Sequence, residues 1–68
     1  MDLEKFYSQV EKSRISMEGI AEYLNMDRST LYRRLAKNGS SFTLSEIREL
    51  VHLLALSPKD ILVIFFKA

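Results

Sequence analysis

The chain has 68 residues, of which 47% are hydrophobic and 28% charged, with a net charge of +1 and no cysteine. A chain of this length is expected to form one small domain over residues 1–68, and without cysteine it has neither a disulfide framework nor a thiolate metal site. It shows no basic leader followed by an apolar run and no stretch of about 18 apolar residues, so we expect a cytoplasmic protein without a membrane partner.

A helix-start signal recurs five times along the chain. Each signal is an Asp, Ser or Thr at the N-cap position, with an apolar residue before it and another four positions after it. The N-cap residues are Asp2, Ser16, Asp27, Thr43 and Ser57. They predict five short α-helices and an all-α fold.

The first two predicted helices each carry one apolar face. In the first helix, over residues 3–12, this face is formed by Leu3, Phe6, Tyr7 and Val10. In the second helix, which begins at Met17, it is formed by Ile20, Ala21 and Leu24. Asn25 follows, and asparagine tolerates the left-handed conformation that ends a helix.

Residues 28–37 form the third predicted helix, and only residues 25–27 separate it from the second. So short a link forces the two helices to cross steeply, and the small side chain of Ala21 lets the second backbone approach the first. Four of the ten Lys and Arg residues lie within residues 28–37, which contain no Asp or Glu. The other six cations and all nine Asp and Glu lie in the rest of the chain. Positive charge is therefore concentrated on this one helix.

A loop at residues 38–41 precedes the fourth predicted helix, over residues 44–54. Thr43 and Glu46 have the spacing of a capping box at its start. The predicted apolar stripe of this helix is formed by Leu44, Ile47, Leu50, Val51 and Leu54. His52, the only histidine, falls on the solvated side without a second ligand at metal-binding spacing, so we expect a surface residue rather than a metal ligand.

The last segment, residues 57–68, has two readings. Pro58 is a favoured first residue of a helix and Asp60 suits the first turn. Residues 61–66, however, are a continuous apolar run rich in β-branched and aromatic side chains, which periodicity alone does not assign. We predict a helix, with an edge strand pairing across a dimer as the alternative.

Residues 16–37 resemble a known motif in the spacing of their apolar, small and turn residues. The positions that carry the likeness are Ile20, Ala21, Leu24, Asn25, Met26 and Leu31. Together they resemble the helix-turn-helix of the Cro/repressor (Xre-like) family of phage and bacterial regulators. The segments RSTLYRRL and FTLSEI are most similar to small phage-encoded regulators of Gram-positive hosts. The resemblance implies a lambda-repressor-like bundle of five helices that regulates transcription in a bacterial cell.

Three positions depart from the family pattern. Asn25 stands where the family usually has glycine, and Met17 stands where it often has a polar residue that touches phosphate. Arg34 occupies a position that is usually apolar, and Leu35 is expected to supply the missing apolar contact.

The resemblance implies that the third helix enters the major groove of DNA. With Leu31 and Leu35 toward the core, a step of about 100° per residue places the polar residues outward. The predicted base contacts are Arg28, Ser29, Tyr32 and Arg33. The predicted phosphate contacts are Thr30, Arg34, Lys37, Asn38, Ser40 and Ser41.

A homodimer is expected because one such helix reads only a few base pairs, and paired proteins read two half-sites about 34 Å apart. Residues 57–68 are the predicted dimerisation segment. Its interface residues are Ile61, Leu62, Phe65 and Phe66. We therefore predict a sequence-specific, phage-type transcriptional repressor that binds an inverted-repeat operator in double-stranded DNA and is associated with the nucleoid when bound.

Two other functions are compatible with the same residues. An antirepressor-like module would use this fold to bind another regulator, and a compaction protein would bind DNA without sequence preference. Catalysis finds no support, because the chain has no glycine-rich phosphate loop, nucleophile elbow or H-E-x-x-H motif. We expect no enzyme activity, cofactor, metal or small-molecule substrate.

Overall fold

The computed structural model describes residues 1–37 and 42–66, and these residues form five α-helices without a strand. The helices are α1 (Leu3–Ser13), α2 (Met17–Tyr23), α3 (Arg28–Ala36), α4 (Leu44–Leu53) and α5 (Pro58–Phe66). The predicted all-α fold and the order of its helices are confirmed, with small differences at the helix ends. Within the described ranges, no helix combines the length and the apolar character that crossing a bilayer requires.

Local capping explains why the helices begin where they do. Four N-cap side chains accept a hydrogen bond from the backbone N–H three residues later, at 3.0 to 3.1 Å, and these are Asp2, Ser16, Thr43 and Ser57. Glu46 completes the predicted capping box by accepting the N–H of Thr43, and Asp60 accepts the N–H of Ser57 in the same way. Asp27 stands at the N-cap of α3 in an extended conformation, but its side chain makes no capping hydrogen bond.

Residues 61–66 lie in α5, so the alternative of a C-terminal edge strand is wrong. Ile64 is fully buried, and Ile61 and Phe65, which share its side of the helix, pack against the core. Helical spacing buries these three together, whereas a strand would alternate them between two faces. The N–H of Asp2 donates to the carbonyl of Ile64 at 2.8 Å, which ties the start of the chain to α5.

An ion pair also joins α1 to α5. The ammonium of Lys5 lies 3.7 Å from a carboxylate oxygen of Asp60. Hydrogen bonds from Ser57, first of all from its backbone N–H, hold the pKa of Asp60 below its ordinary value, and the charge of Lys5 acts in the same direction. Asp60 therefore caps α5 in its ionised form at neutral pH.

The core lies between the five helices and contains no buried charged side chain among the described residues. Its buried members are Phe6, Val10, Ile20, Ala21, Leu24, Leu31, Leu35, Phe42, Leu50, Leu54, Leu56 and Ile64. Leu44, which we expected on the apolar stripe of α4, is instead 82% exposed. It is the first residue of α4, and helical side chains lean toward the N-terminal end of their helix, so Leu44 extends beyond the core.

The turn between α2 and α3 is closed by two backbone hydrogen bonds. The N–H of Met26 donates to the carbonyl of Ala21 at 2.9 Å, and the N–H of Asn25 donates to the carbonyl of Glu22 at 3.0 Å. Asn25 has a φ of 61°, in the left-handed region, which confirms its predicted role in ending the helix. This pair of bonds is the Schellman motif, and it sends the chain directly into the N-cap of α3.

The link between α4 and α5 repeats this turn with an alanine at the left-handed position. The N–H of Leu56 donates to the carbonyl of Val51 at 3.0 Å, and Ala55 has a φ of 51°. The β-carbon of an L-residue makes this conformation unfavourable, and glycine lacks that carbon. Ala55 therefore carries a local backbone strain that α4 and α5 together maintain.

We expect Ala55→Gly to raise the free energy of unfolding by about 0.5 to 1 kcal/mol, because glycine removes the steric cost of a positive φ. For a domain of this size the melting temperature should rise by about 2 to 8 °C, measured by circular dichroism. Ser8→Gly, at an exposed position inside α1, is the control and should lower the melting temperature. A lower melting temperature for Ala55→Gly would contradict the strain.

Candidate nucleic-acid interface

Helix α3 has one buried side and one solvent-facing side. Leu31 is fully buried and Leu35 is 2% exposed, so these two residues fix the helix on the core. The opposite side carries Arg28, Ser29, Tyr32, Arg33 and Ala36, all of which are exposed. The outward face expected from the helical period is therefore the face that solvent reaches.

The exposed face combines planar cations with short hydroxyl groups. Arg33 donates from Nη2 to Oγ1 of Thr30 at 3.1 Å, which directs its guanidinium along the helix. Arg28 and Ser29 lie in the first turn of α3, where the backbone N–H groups of an α-helix have no carbonyl partner within the helix. A guanidinium offers two parallel donors, so this face is suited to acceptor pairs on a planar partner.

An open concavity lies beside this face toward the C-terminal end of α3. Its volume is about 290 Å³, and it is lined by Thr30, Arg33, Arg34 and Lys37. Three of the four lining side chains are cationic and the fourth carries a hydroxyl donor. Its chemistry suits an oxyanion such as a phosphate group.

Arg34 lines this concavity, but its guanidinium also contacts the start of α4. Its Nη1 donates to Oε1 of Glu46 in an ion pair, and its guanidinium carbon lies 5.9 Å from the centroid of the Phe42 ring. Of the other expected phosphate contacts, Thr30 and Lys37 line the concavity. The remaining three, Asn38, Ser40 and Ser41, lie outside the described residues.

Carboxylates limit the positive surface at the opposite end of α3. Glu22, Asn25, Met26 and Asp27 line a second hollow, which adjoins the turn that precedes α3. Both of its charged residues are acidic and exposed. A polyanion would therefore meet its most favourable potential along the outward and C-terminal parts of α3.

The phenol of Tyr7 on α1 is influenced electrostatically by the phenol of Tyr32 on α3, a relation that the sequence did not indicate. Burial raises the pKa of Tyr7, and the phenol of Tyr32 raises it further. Tyr7 also packs edge-on against Phe6, with ring centroids 5.6 Å apart, and is 39% exposed. Tyr7 was expected on the apolar stripe of α1, and no local pattern signals its electrostatic relation to Tyr32.

The four expected dimer residues of α5 divide into two pairs. Leu62 and Phe66 are 50% and 65% exposed, respectively. Ile61 and Phe65 are partly buried and pack against the core. A partner could therefore cover the first pair, whereas the second pair already contributes to the fold of one chain.

His52 is exposed on α4, on the side where the sequence placed it. Within residues 1–37 and 42–66, no three His, Asp or Glu side chains are grouped so that they could hold a metal ion.

Comparisons with models of protein families, with curated proteins and with solved structures find no match to this chain.

Proposed function

We propose that the protein is a transcriptional regulator that binds double-stranded DNA at specific sequences, with α2 and α3 acting as a helix-turn-helix. The observation that supports this function best is the two-sided character of α3. Leu31 and Leu35 anchor the helix, while Ser29 and Arg33 face solvent. The major groove of B-DNA admits an α-helix, and side chains on the outward face of that helix reach the base edges.

The outward residues divide into two roles under this proposal. Arg28 and Arg33 donate in pairs to O6 and N7 of guanine, while Ser29 and Tyr32 contact base edges or thymine methyl groups. Thr30 and Lys37, which line the concavity beside Arg33, bind the phosphate backbone. The phosphate contacts set the register of α3, and the base contacts carry the sequence information.

A homodimer is part of the proposal, because a single copy of α3 spans few base pairs. The exposed apolar side chains of Leu62 and Phe66 on α5 are the surface through which two copies would pair. An isologous pair presents two copies of α3 with two-fold symmetry, which matches an inverted-repeat operator. Occupation of such an operator by a phage-type repressor would block transcription.

Selection of bound fragments from a random DNA library, repeated at several salt concentrations, tests the proposed function. An inverted repeat should be enriched, and its affinity should fall steeply as salt rises, because phosphate contacts release counterions. Equal binding of all sequences would support nonspecific compaction instead. No binding at the lowest salt concentration would overturn the proposal.

We expect the double substitution Leu62→Ser and Phe66→Ser to convert the dimer into a monomer and to weaken binding to a full operator by roughly 100-fold or more, because two linked half-sites no longer bind together. Sedimentation equilibrium and titrations with full-site and half-site DNA measure the two effects. Leu44→Ser is the matched control, since Leu44 is more exposed than Leu62 and lies outside α5. An unchanged molecular mass for the double variant would contradict this interface.

A second candidate function is an antirepressor-like module that binds another regulator, and the exposed Leu62 and Phe66 also favour it. In that case binding to the partner protein would be lost in the α5 variant and retained in Arg33→Ala. It would also depend little on salt, since apolar burial releases no counterions. Parallel titrations of the two variants separate the candidates.

A further inference from the structure

Arg34 links the C-terminal half of α3 to the first turn of α4. Its Nη1 donates to Oε1 of Glu46, and the same oxygen accepts the backbone N–H of Thr43 at 3.0 Å. The side chains of Arg34 and Glu46 are only 27% and 18% exposed. The ion pair is therefore shielded from solvent more than a surface pair, and it is built onto the capping box of α4.

An aromatic ring supports the same guanidinium. Phe42 is 8% exposed and belongs to the core, and its ring centroid lies 5.9 Å from the guanidinium carbon of Arg34. This distance is within the range of a cation–π contact. The guanidinium of Arg34 is thus held by one polar contact, with the carboxylate of Glu46, and by one apolar contact, with the ring of Phe42.

Charge balance distinguishes Arg34 from Arg33. The carboxylate of Glu46 neutralises the guanidinium of Arg34, so the pair adds little net positive potential to the surface of α3. A phosphate that took Arg34 away from Glu46 would leave a half-buried carboxylate without its cation, which is unfavourable. Arg33 is exposed and is hydrogen-bonded to a neutral hydroxyl, so it can turn toward DNA at little cost.

We propose that Arg34 is a positioning residue: through Glu46 and Phe42 it fixes the orientation of α3 against α4, and so the angle at which α3 meets DNA. This role rests on the proposed DNA-binding function. It differs from the phosphate contact expected for Arg34 from the sequence. It also gives the capping box at Thr43 a second purpose, because Glu46 both starts α4 and holds α3.

The first part of the test measures thermal unfolding without DNA. Arg34→Met keeps the length of the side chain and its packing on Phe42, and Glu46→Gln keeps an oxygen for the N–H of Thr43. Each single variant should lower the melting temperature by about 4 to 8 °C. The double variant should be no less stable than either single one, because both remove the same contact. Additive losses would overturn the proposal.

The second part measures DNA binding well below the melting temperatures of all variants, with the sequence obtained by library selection. Positioning predicts that Arg34→Met and Glu46→Gln each reduce the preference for that sequence over random DNA roughly tenfold. The affinity of Arg34→Met should depend on salt in the same way as the affinity of Arg48→Met, a control that removes an exposed arginine from α4. A merely structural role would leave the preference of the folded protein unchanged.

A direct phosphate contact would give the opposite pattern. Arg34→Met would then lower the slope of log affinity against log salt by about 1, and Glu46→Gln would leave binding unchanged or tighten it, because it removes a negative charge. That result would overturn the positioning role alone. A wild-type chain that enriches no sequence would overturn the proposed function, and the role of Arg34 with it, whereas the unfolding data would still report the contact itself.

Discussion

Replacing Leu31 by alanine is expected to lower the free energy of unfolding by about 2 to 5 kcal/mol. Leu31 is fully buried on the inner side of α3, so the truncation removes apolar contacts and leaves a cavity in the core. A domain of this size is stable by only about 3 to 10 kcal/mol, so the loss should leave a large unfolded fraction near 37 °C. Urea titration followed by circular dichroism measures the change.

Ser29→Ala, on the exposed side of the same helix, is the control for Leu31→Ala. Its unfolding free energy should stay within about 0.5 kcal/mol of the original chain, because no buried contact is lost. DNA binding by Leu31→Ala should fall in proportion to the unfolded fraction and recover on moderate cooling. A stability equal to that of the Ser29 variant would mean that α3 is not anchored through Leu31.

Replacing Arg33 by alanine is expected to weaken binding to the preferred DNA sequence by about 1 to 3 kcal/mol, the discrimination supplied by one bidentate contact to guanine. Arg33 is exposed, lies beside Ser29 and Tyr32 on the outward face and is directed by Thr30. Affinity for random DNA should change less, because the lost contact reads a base rather than the backbone. Titrations against single-base variants of the operator measure both quantities.

Arg33→Lys separates a base contact from a phosphate contact. Lysine keeps the positive charge but lacks the planar fork, so a base contact should be lost with either substitution, whereas a phosphate contact should survive with lysine. Lys59→Ala, on α5, controls for the loss of one exposed charge. Unchanged selectivity in both Arg33 variants, with normal melting temperatures, would remove Arg33 from the proposed interface.

Local residue patterns were sufficient to predict the five helices and the outward face of α3. N-cap residues such as Ser16 and Thr43 bond to the backbone three residues later, and the apolar positions recur at the helical period, so both signals lie within a single element. Asn25 ended α2 for a similarly local reason, its tolerance of a positive φ. The same logic selected the buried Leu31 and the exposed Arg33.

Contacts between distant parts of the chain settled what local patterns left open. The apolar run of residues 61–66 forms a helix with Ile64 buried because α1 and the core pack against one side of α5. The local sequence of α5 does not show which elements will pack against it. Likewise, Arg34 meets Glu46 and Phe42 only after α3 and α4 have packed. Whether a cation contacts a phosphate or a neighbouring helix depends on this packing, since side-chain charge specifies an attraction but not the partner that satisfies it.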